Sequence, residues 1–180
     1  VGVNMNLLSL EQKEVKKVLP FTPHEVKTLL SYLKREGAPI FWRFAVLASY
    51  ELGLRLGDIC QLEWACFRPN GEIVVWTDKR DKRVALKISD ALAELSTEIP
   101  VTDHQYLFPE QRKMHLDPTR RAILSVYFSR ICEKAGITGK SFHSLRHARI
   151  TEWAKQGKSL EQIARDVGHS SIETTKGYVH

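Results

Sequence analysis

The sequence predicts a mainly α-helical fold with one small antiparallel β-hairpin, an α+β arrangement. Three observations predict it. Apolar residues recur at helical spacing from residue 22 to about 52. Two β-rich runs around a charged tip follow between residues 72 and 88. Helical spacing then returns and holds almost to the C-terminus.

Residues 1–20 are polar and weakly patterned and read as a leader or linker, with the folded unit over 21–180. Thr22-Pro23-His24-Glu25 has the form of a capping box, in which the Thr hydroxyl and the Glu carboxylate satisfy each other's backbone amides and Pro suits the first helical position. Val26, Leu29, Leu30 and Leu33 follow on one face, and Gly37 stops the run. The stretch from Ile40 to Leu52 is apolar nearly all round, which predicts a helix at the centre of the core, closed by Gly53. Residues 54–57 are expected as a short loop and 58–64 as a short helix.

Pro69-Asn70-Gly71 marks a turn. EIVVWT (72–77) and RVALKI (83–88) then pair as a hairpin around the polar stretch 78–82. Helical pattern resumes at 90–95. Residues 98–116 show no period and are expected to be irregular. Asp117-Pro118 opens a helix carrying Ile123, Leu124, Tyr127, Phe128 and Ile131, which ends near Gly136. Further helices are expected over 144–156, over 159–167 and from about 171.

A chain of 180 residues suits one domain with one sizeable core. With 43% hydrophobic and 27% charged residues, wholesale disorder is excluded. No run approaches the roughly 18–20 apolar residues of a membrane span, since residues 38–54 are broken by Arg43 and Glu51. Lys and Arg number 27 against 21 Asp and Glu, and the net charge of +6 permits a polyanionic partner. Cys60, Cys66 and Cys132 are widely spaced and form no CxxC, which excludes a disulfide framework and reads as three reduced thiols in a cytosolic or nuclear protein.

Four segments carry chemistry. In His143-Ser144-Leu145-Arg146-His147, a core-facing Leu145 puts His143 and Arg146 one turn apart on one face. A planar guanidinium and an imidazole together suit an anionic tetrahedral group. His143 and His147 also stand at the i, i+4 spacing of zinc ligands, but Ser144 stands where a zincin needs Glu and no third ligand cluster follows, so no metal is expected. The second segment, VGHSSIETTKGY, runs from Val167 to Tyr178. With Ala164 and Gly168 it has the spacing of a helix-turn-helix, which keeps a DNA-reading role open. The third, ELGLRLGDI, holds Arg55 between Gly53 and Gly57 at the mouth of the central helix, with Asp58 three residues on. The fourth is the hairpin tip, where Lys79, Arg80, Lys82, Arg83 and Lys87 face one acid, Asp81.

In this order and spacing the four segments resemble the tyrosine recombinase (phage integrase) family, over about residues 22–178. The resemblance implies the family's catalytic-domain fold and gives Arg55 as the first catalytic arginine. The family's next acid, commonly Glu, stands as Asp58, a supporting residue. The hairpin lysine falls on Lys79, with Lys82 as its alternative. HSLRH is similar to the family's H-x-x-R box, giving His143 and Arg146, and the last segment gives His169 and the nucleophile Tyr178. Arg80, Lys82 and Arg83 are then expected to hold DNA.

The implied activity is site-specific recombination or integration of mobile DNA, by cleaving and rejoining strands through a 3′-phosphotyrosyl bond without metal or ATP. A phenol with a pKa near ~10 needs its proton taken or its anion stabilised before it attacks. His143 would take the proton, Arg55, Arg146 and His169 would hold the phosphate oxygens, and Lys79 would protonate the leaving 5′-oxygen. The implied partner is double-stranded DNA, in a homotetramer of the full-length protein, in a bacterial or phage setting in the cytoplasm at the nucleoid. Residues 1–20 are then expected to link to an N-terminal DNA-clamping domain, and the tail after Tyr178 is expected to be truncated. A relaxing topoisomerase with the same site, a non-catalytic helix-turn-helix regulator and a metal-dependent nuclease are the competing readings.

Overall fold

The computed structural model describes residues 19–77, 82–167 and 172–179. Lys79, Arg80 and His169 lie outside the described residues. Lys82 is placed by its backbone as the first residue of a strand.

Helix α1 (Pro23–Arg35) starts with both halves of the predicted capping box, Thr22 Oγ1 accepting from the Glu25 amide at 3.2 Å and Glu25 Oε2 from the Thr22 amide at 2.9 Å. Helix α2 (Ile40–Leu52) is the axis of the core, with Phe44, Ala45, Val46 and Ala48 at 0% exposure. It packs against α1, α4 (Asp90–Thr97) and α7 (His143–Lys155). Ser89 caps α4 through the Leu92 amide and donates its hydroxyl to Glu51 at 2.6 Å, which ties α4 to the end of α2. Strands β1 (Glu72–Thr77) and β2 (Lys82–Lys87) form one antiparallel ladder with Trp76 opposite Arg83. Ile73, Val75 and Leu86 turn into the core, as period-two alternation requires.

Helix α6 (Arg121–Lys134) is fixed by aromatic packing. Phe128 stacks near Trp42 at 5.9 Å and meets Phe142 edge-on at 5.1 Å, geometries worth about 0.5–1.5 kcal/mol each beyond burial. Phe142 directly precedes α7, so this cluster sets where the first turn of α7 begins. A smaller apolar cluster joins α7 to α8 (Leu160–Asp166) through Ile150, Trp153, Ile163 and Val167. The short helix α9 (Ile172–Lys176) leads to Tyr178, which packs on this smaller cluster with Val179.

Four elements differ from the sequence reading. The short helix after the Arg55 loop is α3 (Leu56–Cys60), two residues earlier than expected, and Trp64–Cys66 is a separate 3-10 turn. Residues 98–116 are not wholly irregular. Pro109–Leu116 is a helix, α5, with no buried residue and therefore no apolar period to reveal it. Asp117 and Pro118 form the turn that ends α5, and α6 begins only at Arg121 because Asp117 accepts from Thr119, holding the chain in a turn. Strand β2 sits one residue earlier than RVALKI suggests. No described helix is long and apolar enough to cross a membrane.

Candidate active site

Gly53 closes α2 in the left-handed region (φ 71°), a conformation that costs a residue with a β-carbon roughly 1–2 kcal/mol. A Cβ there would also sit 3.3 Å from Val167 Cγ1. Gly57 has an ordinary backbone but no room, since a Cβ would fall 2.5 Å from the His115 ring. The two glycines therefore do different work. One turns the chain toward α3, and the other lets α5 lie against it. Arg55 sits between them, half-buried, as the N-cap residue of α3, and Asp58 follows in the first turn.

Arg146 is 1% exposed. Its Nη1 donates to the Gly53 carbonyl at 2.5 Å and its Nη2 to the Val167 carbonyl at 2.7 Å. Both acceptors stand at helix C-termini, where carbonyl dipoles favour a cation. The guanidinium thus joins the end of α2 to the end of α8. Its buried Nε has no hydrogen-bond partner among the described residues. Burial first, then the charge of Arg55, push the Arg146 pKa down to about 10, against the opposing pull of Tyr178 and Asp58. At neutral pH it remains a cation.

His143 begins α7, and its Nε2 is hydrogen-bonded to the Tyr178 hydroxyl. The ring is reachable from solvent, yet lost hydration on its protein side, then the charges of Arg146, Arg55 and His147, push its pKa down to about 4. The imidazole is therefore neutral at pH 7, and its Nε2 can accept the phenolic proton when the other nitrogen carries the ring hydrogen. Two arginines and a neutral histidine thus share one electrostatic neighbourhood. The guanidiniums repel each other, and an anion between them would relieve that repulsion.

His147 and Thr151 enter the site without having been singled out as site residues. His147 is 7% exposed, its ring meets Tyr178 edge-on at 5.1 Å, and its Nε2 lies 3.3 Å from the Tyr178 carbonyl oxygen. Thr151 Oγ1 lies 3.5 Å from the same oxygen. The i, i+4 histidine spacing that suggests zinc in the sequence instead runs along Tyr178. Among the described residues no group of three or more His, Cys, Asp or Glu side chains is placed to hold a metal. Burial pushes the Cys60 and Cys132 thiols up to about 12, which leaves both protonated and inert.

The hairpin contributes Arg83, whose guanidinium lies 4.5 Å from the centre of the Trp76 ring. A cleft of about 380 Å³ lined by Asp58, Gln61, Trp76 and Arg83 separates α3 from the hairpin. The structure therefore gathers Arg55, Asp58, His143, Arg146 and Tyr178, and places Arg83 across this cleft from Asp58.

The family model for the phage integrase family matches residues 20–180. The tyrosine recombinase XerA of Thermococcus kodakarensis is 30% identical over 187 residues, covering 98% of this chain and 64% of that protein. The chain thus spans under two-thirds of that relative's length. The crystal structure of XerA recombinase superposes with a TM-score of 0.73 at 24% identity, over 90% of this chain and 60% of that one. The Tn1549 transposon integrase, solved in complex with transposon right-end DNA, superposes with a TM-score of 0.76 at 16% identity, over 94% of this chain and 63% of that one. The fold is that of tyrosine recombinase catalytic domains, and the chain belongs to the phage integrase family.

Proposed function

We propose that this chain is the catalytic domain of a site-specific DNA recombinase or integrase, which cleaves and rejoins strands through a 3′-phosphotyrosyl intermediate. One observation carries the reading. A neutral imidazole, His143, is bonded to the hydroxyl of Tyr178 in the electrostatic neighbourhood of a buried arginine, Arg146, and a half-buried one, Arg55. That is an arrangement for making a phenolate attack a phosphate.

In the step, Tyr178 oxygen bonds to phosphorus and the phosphorus–5′-oxygen bond breaks. The phenolic proton passes to His143 Nε2. Arg55 and Arg146 stabilise the charge that builds on the non-bridging oxygens, a contribution worth about 10²–10³ in rate per donor in comparable sites. Lys79, or Lys82 beside it, protonates the departing 5′-oxygen, and His169 donates to the phosphate. The covalent bond keeps the phosphodiester energy, so attack by another 5′-hydroxyl rejoins the strand without ATP. Asp58 supports Arg146 electrostatically, and Arg80, Lys82 and Arg83 hold the duplex.

On this reading the domain works at the nucleoid on mobile DNA, in a bacterial or phage setting. It acts as one part of a longer chain that assembles as a tetramer on duplex DNA, with residues 1–20 as the link to an N-terminal clamping domain. The test is a nicked suicide substrate incubated with the protein in EDTA and run on a denaturing gel. A covalent adduct from the wild type, absent in Tyr178→Phe, supports the reading. Specific DNA binding without any adduct would favour a non-catalytic helix-turn-helix regulator instead.

A further inference from the structure

His143, His147 and Thr151 stand at i, i+4 and i+8 on α7, a single stripe along three turns of the helix. All three touch Tyr178. His143 meets the hydroxyl, His147 meets the ring and the main-chain carbonyl, and Thr151 meets the carbonyl. The tyrosine therefore lies along the stripe, held at both ends. The partners also fix the hydrogens. A carbonyl only accepts, so His147 Nε2 must carry its proton, while His143 Nε2 must be bare to receive the phenol's.

We infer that His147, with Thr151 in support, is a positioning residue that holds the main chain of the nucleophile so that its hydroxyl reaches both His143 and the phosphate. This rests on the strand-transfer reading above. Tyr178 follows a five-residue helix, α9, whose last turn holds Tyr178 by its amide to the Thr175 carbonyl at 3.0 Å and Val179 by its amide to the Lys176 carbonyl at 3.2 Å. A segment tethered so briefly needs a second anchor, because a misplacement of about 1 Å can cost about 10²-fold in rate. The clasp supplies that anchor from the helix that also carries His143 and Arg146. Nucleophile, base and phosphate clamp are thereby indexed to one rigid element.

The test is single-turnover adduct formation, with DNA affinity and thermal stability measured on the same proteins. His147→Phe keeps the ring but removes the donor, and should lower the cleavage rate about 10–100-fold with affinity unchanged. His147→Gln restores a donor near the same place and should recover most of that loss. A substrate with sulfur in place of the bridging 5′-oxygen needs no proton on its leaving group, so the His147→Phe defect should persist on it. Hydrogen exchange over residues 174–179 should also rise in His147→Phe and not in His147→Gln.

Wild-type rates in His147→Phe, an equal defect in His147→Gln, or rescue by the sulfur substrate would each overturn the assignment. If His147→Phe fails to fold, the near-isosteric Thr151→Val decides: a slower rate with unchanged affinity supports the clasp, and an unchanged rate and exchange refute it. A wild type that forms no adduct refutes the strand-transfer reading itself, and the clasp falls with it. Adduct formation that is normal in the His147 variants refutes the clasp alone.

Discussion

Two apolar clusters among the described residues carry different halves of the candidate site. The large one, built on α2 with Phe44 and Phe128 at its centre, fixes Leu54, Ile59 and Cys60, and with them the turn that presents Arg55. The small one, Ile150, Trp153, Ile163 and Val167, supports Tyr178 and Val179. Arg146 spans both, since one carbonyl it holds ends α2 and the other ends α8. Arg146 thus draws on the larger cluster as well as the smaller one, and Tyr178 rests on the smaller one. On the proposed reading, the group that must leave its base, bond to DNA and return is carried by the smaller cluster.

Substitutions in each cluster separate these roles. Phe44→Ala empties the centre of the large cluster and should cost about 3–5 kcal/mol in denaturant unfolding, with protection lost across the whole domain. Ile163→Ala, in the small cluster, should cost about 2–5 kcal/mol at the outside. Its hydrogen-exchange increase should be confined to α8, α9 and the Tyr178 segment. If exchange rises equally in α2, the two clusters are one unit and the comparison fails. Thr22→Ala removes one capping acceptor from α1 and should cost about 1 kcal/mol without altering exchange near Tyr178.

A separate expectation concerns pH. The folded pKa of His143, about 4, lies below the ordinary 6.5, so the unfolded chain binds the proton first as pH falls. The contribution to stability is complete above about pH 6.5 and is lost as pH drops toward 4. NMR titration of the His143 ring in the DNA-free protein should show a midpoint near 4. A midpoint near 6.5 would mean that neither lost hydration nor the charges of Arg146, Arg55 and His147 bear on this ring.

Much of this was legible in the sequence because it depends on neighbours a few residues apart. The capping box at Thr22 and Glu25, the nearly all-apolar α2, and the hairpin announced by Pro69-Asn70-Gly71 are local signals that tertiary packing reinforces. Helix α5 was not legible, because no residue of PEQRKMHL is fully buried and only its proline is left as a start signal. The burial of Arg146 was hidden for a different reason. A charged residue in a polar helix end reads as solvated, and only the arrival of carbonyls from α2 and α8, 93 and 21 residues away, makes its burial tolerable. The spacing of His143 and His147 was visible, but its meaning was not, because their shared partner lies 35 and 31 residues further on.

The most direct measurement of the central claim is the site of the covalent bond. The adduct trapped with a suicide substrate is digested with nuclease and protease, and the nucleotide-bearing peptide is sequenced by mass spectrometry. The nucleotide is expected on the phenolic oxygen of Tyr178. A nucleotide on any other residue, or a cleaved strand with no protein attached, would contradict it.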